Sequence, residues 1–180
     1  MAGLVAKRYG AAIFELAKEQ DAVVALETEI IIVQEGFSHL DLTDFLGHPK
    51  VSLDQKIEVL ESSLSDIISH DLLGLLVLVV KKGRYAEIDA IFDETLELID
   101  AYRGRAKAYI TSADELQVDQ KSKLIHELST LTRKEIIPLY EIDESLIGGL
   151  VIRIGDRIVD NSIKGHLHKL SRELLETKID

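Results

Sequence analysis

The sequence predicts a mainly α chain: an antiparallel bundle of about six helices over residues 1–105, then a smaller α+β domain over 106–180 with the order β-α-β-β-β-α. Three observations carry this. Upstream of Arg105 the apolar residues recur with helical spacing almost throughout. Turn signals interrupt that pattern at intervals of a few helical turns, which favours short connections and antiparallel neighbours. Downstream, short β-branched runs alternate with the turn pairs Gly148-Gly149 and Gly155-Asp156. Arg103-Gly104-Arg105 is the expected joint, because glycine ends a helix at little cost and two cations suit a helix C-terminus.

The elements follow in order. A first helix spans Gly3 to Glu19 and breaks at Gln20-Asp21; a second spans Ala22 to Gly36. A short third piece, Leu42 to Leu46, stops at Gly47-His48-Pro49. Ser52 and Gln55 have the spacing of a capping box for the fourth helix. Ser69 is the expected N-cap of a fifth, Leu72 to Lys82, closed by Gly83, and a sixth runs from Tyr85 to Tyr102. In the second domain Ala106-Thr111 reads as a strand, and Ser112 with Glu115 reads as a capping box opening a helix to Thr132. Ile136-Ile142 and Leu150-Ile154 have strand composition, with Pro138 suited to an edge because it cannot donate to a ladder. Gly155-Asp156 suits a tight hairpin into Arg157-Val159, and Asp160-Asn161-Ser162 caps a last helix to Thr177.

Composition narrows the function. The 180 residues carry 21 Lys plus Arg against 32 Asp plus Glu, a net charge of −11, and no Cys. Such a balance argues against tracking nucleic-acid phosphates, which asks for a basic face. Zero Cys removes disulfide frameworks, thiol catalysis and thiolate zinc sites. The longest unbroken apolar run, Leu75 to Val80, is far shorter than the ~20 residues of a membrane span. The start, MAGLVAKRYG, is not that of a secretory signal, so a cytoplasmic protein without membrane insertion is expected. The charge is uneven: residues 1–105 carry 10 cations and 19 anions, net −9, and residues 106–180 carry 11 and 13, net −2.

Two helices have more apolar surface than a small bundle needs. On the first, an arc of about 200° is apolar, against the ~100° stripe of an ordinary surface helix. On the fifth, every position from Leu72 to Val80 is apolar or Gly. Either the fifth is simply the central helix of the bundle, or the two lie side by side and leave a groove for an amphipathic helix of another protein. Ala6, Gly10 and Ala17 would then permit close approach, and the negative charge of the region would favour a partner with basic residues.

Catalytic signatures are weak. No phosphate-cradling glycine loop, nucleophile elbow or zincin motif occurs. His166 and His168 diverge on a helix, so they read as a solvated face. One enzyme alternative is a helical metal-dependent phosphohydrolase built on the adjacent pair His70-Asp71, with His39, His48 and Asp100 as further ligands. Against it, an Asp in a first helical turn needs no metal, since the helix dipole favours it there. A generic helix-binding adaptor is the other alternative.

The residue strings resemble one family along the whole chain: the delta subunit of bacterial F-type ATP synthase, equivalent to the mitochondrial oligomycin-sensitivity-conferring protein. AKRYGAAIFELA is similar to its first-helix signature, LTDFLGHPKVSLDQKIEVL to its F-L-x-x-P and following helix, and LLGLLVLVVKKGR to its leucine-rich fifth helix. TSADEL and the long LIGGLVIRIGDRIVDNSIKGHLHKL complete the series; the closing motif places Gly148, Gly149, Arg153, Gly155, Asp156, Asp160, Ser162 and Gly165 on family positions. Gly10 stands where that family usually has Ala, which is expected to loosen the first helix by roughly 1 kcal/mol. The resemblance implies a non-catalytic stator without cofactor or metal, one copy per complex, peripheral on the cytoplasmic face of the membrane. It implies that residues 1–105 bind the N-terminal helix of an α subunit in a groove lined by Tyr9, Ala12, Ile13, Phe14, Leu72, Leu76 and Val79. It also implies that residues 106–180 bind the b subunits of the peripheral stalk.

Overall fold

Several helices in this chain start where a side chain takes up the orphan amides of the first turn. The Ser52 hydroxyl accepts from the Gln55 amide at 3.3 Å while the Gln55 side chain accepts from the Ser52 amide at 3.0 Å, so the expected capping box is formed. Ser69 likewise accepts from the Leu72 amide at 3.4 Å, and its hydroxyl donates to Glu29 at 2.7 Å. The computed structural model describes residues 2–39 and 42–176, with side chains for 3–36 and 45–172. It divides into two units, Met1–Tyr102 and Arg103–Asp180.

The first unit holds α1 (Ala2–Glu19), α2 (Val23–His39), α3 (Leu42–Gly47), α4 (Leu53–Leu64), α5 (His70–Lys81) and α6 (Ile88–Tyr102). The sixth helix is preceded by a separate 3₁₀ turn at Tyr85–Glu87, where the sequence suggested one continuous helix. Their apolar faces meet in one core that includes Ile13, Phe14, Ile30, Leu60, Leu72, Leu76, Val79, Phe92 and Ile99. The Thr95 hydroxyl is buried there and satisfied by donating to the Ile91 carbonyl at 2.7 Å. A Cβ added to buried Gly10 would stand 3.1 Å from Thr95 Oγ1 and 3.2 Å from Glu94 Cβ. Gly10 therefore sits where α1 crosses α6. Its missing side chain serves that crossing, rather than a close approach to α5.

The second unit is a four-stranded sheet of order β2-β1-β3-β4 with two helices. Its elements are β1 (Arg105–Ser112), α7 (Val118–Thr132), β2 (Glu135–Ile142), β3 (Leu150–Ile154), β4 (Arg157–Asp160) and α8 (Ile163–Glu176), the expected β-α-β-β-β-α. Strands β1 and β2 are parallel, joined by α7 as the crossover; β1 with β3 and β3 with β4 are antiparallel. Pro138 lies on the edge strand β2, opposite Ala108. Ala108, Ile110, Ile136 and Ile152 form the buried cluster, covered in part by Leu124, Ile125 and Leu128 of α7. One expected start moves. Ser112 ends β1 and its hydroxyl donates to the Asp114 carbonyl at 2.7 Å; α7 begins at Val118 behind a Gln117–Gln120 box instead. Hydroxyl and short carboxyl side chains are the usual N-caps, so a glutamine start carries little mark in the sequence.

Candidate functional site

The residues expected to line a groove between α1 and α5 divide sharply by exposure. Leu72, Leu76 and Val79 are 0–1 % exposed, and Ile13 and Phe14 are buried beside them. All five are spent on the unit's own core. Tyr9 is half-buried and Ala12 exposed, so these two remain accessible.

The accessible apolar surface lies one step round each helix. On α1, half-buried Val5, Tyr9 and Leu16 fall with exposed Ala12 on an i, i+4, i+7, i+11 stripe. On α5 the accessible apolar positions are Gly74, half-buried Leu75 and Val77, and Leu78, which is 42 % exposed. Gln20, just past α1, donates to Asp71 at 2.9 Å, setting the C-terminal end of α1 beside the first turn of α5. Leu75 and Leu78 follow Asp71 at i+4 and i+7, on one side of α5. Leu78 and Leu75 were not singled out by sequence, because a helix apolar all round carries no polar marker of its outer face.

Charge is arranged differently from expectation. The first unit carries 8 cations and 19 anions, net −11, whereas residues 103–180 carry 13 of each, net zero. Yet six of those eight cations, Lys7, Arg8, Lys18, Lys81, Lys82 and Arg84, lie on α1 or at the C-terminal end of α5. Glu15, Glu19 and Asp71 share these helices, and Lys18 is paired with Glu15 at 3.3 Å.

Five motif positions of the second unit, Gly148, Gly149, Asp160, Ser162 and Gly165, meet at one corner, and Arg153, Gly155 and Asp156 lie at the other end of the β3–β4 ladder. Ser162, 1 % exposed, accepts from the Gly165 amide at 2.9 Å and donates through its hydroxyl to Asp160 at 2.6 Å; its own amide donates to the same carboxylate oxygen at 2.9 Å. The hydrogen bonds from the Ser162 hydroxyl and then its amide hold the Asp160 carboxyl below the usual carboxylate range. Gly149 has φ +80°, and a Cβ there would collide with the Asn161 carbonyl; one on Gly165 would collide with the Asp160 carboxylate. A Cβ on Gly148 would press on Ile163. Gly155 and Asp156 are the two-residue turn between β3 and β4. The Arg153 guanidinium lies 4.3 Å from the ring centre of Tyr109, its cross-strand partner. These eight positions hold a turn, a hairpin and a helix cap in place. Around the corner, α8 presents Ile163, Leu167 and Leu170 exposed on an i, i+4, i+7 stripe, accompanied by Lys164, Lys169 and Arg172.

The metal alternative finds no assembled ligand set. Among the described residues no three His, Cys, Asp or Glu side chains converge. Asp71 is engaged by Gln20, and the His39 side chain lies outside the described residues.

A family model described as "ATP synthase delta (OSCP) subunit" matches residues 5–174. The "ATP synthase subunit delta" of Lachnoclostridium phytofermentans is 39 % identical over 181 residues, covering 99 % of this chain and 100 % of that one. The protein of the same name from Desulforamulus reducens is 37 % identical and covers 96 % of each. A chain of the Toxoplasma gondii mitochondrial ATP synthase hexamer superposes with a TM-score of 0.80 over 94 % of this chain and 97 % of its own, at 18 % identity, and so shares the fold. The chain therefore belongs to the ATP synthase delta (OSCP) subunit family.

Proposed function

We propose that the chain is the stator link of an F-type ATP synthase, tying the catalytic head to the peripheral stalk. A delta subunit is a structural component of the membrane-associated synthase and not its catalytic one; among the described residues no helix is long and apolar enough to cross a membrane. Rotation of a central shaft exerts torque on the head, and unless the head is held it turns with the shaft and no ATP forms. Holding it asks for tight non-covalent attachment at two separate places, which suits a chain of two units.

The head-binding place is read on the first unit, one copy per complex, as a groove for the N-terminal helix of an α subunit. The observation that carries this is the pair of accessible stripes, Val5-Tyr9-Ala12-Leu16 on α1 and Leu75-Leu78 on α5. Apolar area removed from water there contributes about 25 cal/mol per Å², less the cost of ordering the peptide. The stalk b subunits are assigned to the second unit, where the α8 stripe offers both apolar area and cations. The complex sits on the cytoplasmic face in this reading.

Titrating the full chain with a synthetic peptide of the α-subunit N-terminus tests the first place. Leu76→Asp is unsuitable, because that side chain is 1 % exposed and a buried charge would unfold the unit. Leu78→Asp is the right variant. Submicromolar binding by the parent chain that Leu78→Asp abolishes, with the helical signal intact, supports the groove; binding indifferent to Leu78→Asp removes it.

A further inference from the structure

Helix α2 has an outward face that the bundle does not explain. At 100° per residue its exposed positions cover an arc of roughly 140°. Val24, Ala25, Thr28, Ile31 and Ile32 occupy most of it, with Val24 61 %, Ile31 43 % and Ile32 42 % exposed. Thr28 turns its hydroxyl onto the Val24 carbonyl at 3.1 Å, which removes the polar group from the face. Four of these five residues are β-branched and lower helix propensity, so helix formation is not what selects them. The opposite face of the same helix, Val23, Leu26, Ile30 and Val33, already fills the core.

The charges of α2 say what fits there. Its carboxylates are Glu27, Glu29 and Glu35, and it contains no Lys or Arg. On the wheel Glu27 and Glu29 fall just outside the two edges of the apolar arc, and Glu35 falls within it. An apolar strip with carboxylates on both borders complements an amphipathic helix whose apolar stripe is bordered by Lys or Arg. A second copy of this unit, itself −11, and an anionic bilayer would both be repelled.

We infer that the outer face of α2 is a second docking site, separate from the α1–α5 surface, for a cationic amphipathic helix of another subunit in the same complex. It rests on the stator reading only for where that subunit is to be sought. As for charge, the α2 face carries carboxylates only, Glu27 and Glu29 at its edges and Glu35 within it, and no cation.

The chain has no Cys, so single thiols report on single faces. Thr28→Cys marks the middle of the α2 face, and Gly74→Cys marks the α5 face, where an added Cβ meets nothing within 4 Å. Maleimide labelling of each variant is compared in the free chain and in the assembled synthase. The inference expects both thiols to react in the free chain and both to be blocked in the complex. Cross-linking from Thr28→Cys is then expected to join a helical segment flanked by Lys or Arg, and Ile32→Glu to weaken that segment's binding about tenfold or more. Thr28→Cys labelled as fast in the complex as in the free chain overturns the inference, whatever Gly74→Cys does. So does a cross-link to an acidic or non-helical segment. Protection at Gly74→Cys alone leaves the stator groove standing and removes the α2 site; protection at Thr28→Cys alone does the reverse.

Discussion

The two units are held together by different physics. The helical unit has a cluster of twenty buried apolar side chains among the described residues, drawn from all six helices; the sheet unit has a cluster of four. What the second lacks in core it replaces with stereochemistry: glycines where no Cβ fits, and a buried serine shared between a carboxylate and a helix start. Substitutions should therefore fail in the first unit by removing volume and in the second by adding it. The sharpest break of that contrast is in the helical core. Leu72→Ala deletes a side chain that is 0 % exposed and should cost about 2–5 kcal/mol. Urea denaturation followed by helical circular dichroism measures it. A cost under 1 kcal/mol would mean that α5 is not the packed centre of its unit.

The counterpart in the sheet unit is the smallest possible addition. Gly149→Ala adds one methyl at φ +80°, against the Asn161 carbonyl, and should cost about 2–4 kcal/mol. Amide spectra should show the loss confined to residues of the second unit while those of α1–α6 hold their positions. Spread of the change into the helical unit would mean that the two do not fold as separate units.

This contrast also explains what could be read from residues alone. The second unit was legible almost to the residue, because Gly149, Gly155, Asp160 and Ser162 each answer to a local stereochemical demand that few other residues meet. The α7 start was one exception, since Gln117 caps through a backbone-directed Gln120 rather than a hydroxyl, and the 3₁₀ turn Glu144–Leu146 was another. In the helical unit the elements were legible but the surface was not. Periodicity marks a face only where polar residues delimit it, and Leu72 to Val80 offer none, so Leu76 and Val79 could not be told from Leu78. The same blindness hid the outer face of α2, whose helix is apolar on both sides.

A milder test separates the two kinds of stability by pH. Ser162→Ala removes the cap of α8 and should cost about 1 kcal/mol, all of it in the second unit. It also removes the hydroxyl hydrogen bond that holds Asp160 low, while the residue 162 amide keeps its own. A carboxyl lowered in the folded state contributes stability that is complete above the ordinary carboxylate range and is lost as pH falls through the folded value. Acidification below that range should thus weaken the parent chain's second unit, and Ser162→Ala should flatten the slope. Asp143, lowered by its hydrogen bonds from Ser145, acts in the same direction and leaves a residual slope in the variant. Parallel acid limbs for parent and variant would mean that Asp160 is not stabilised through Ser162.

The smallest expected effect is the most discriminating, because two opposed contributions nearly cancel. Gly10→Ala relieves α1 of a mid-helix glycine and should gain about 1 kcal/mol from propensity alone. The same methyl would stand 3.1 Å from Thr95 Oγ1 and 3.2 Å from Glu94 Cβ and Cγ. Glu94 is half-exposed and its outer carbons can swing aside, but Thr95 is 0 % exposed and tied to the Ile91 carbonyl, so α6 must shift by a few tenths of an ångström. That repacking costs at the low end of ~1–3 kcal/mol, leaving a net change of about 0.5 kcal/mol or less in either direction. A gain of the whole propensity difference would show that the α1–α6 crossing yields freely, and that Gly10 is merely a poor helix residue. A loss well beyond 1 kcal/mol would show a crossing rigid enough for Gly10 to set its distance, the behaviour so far reserved for the glycines of the sheet unit.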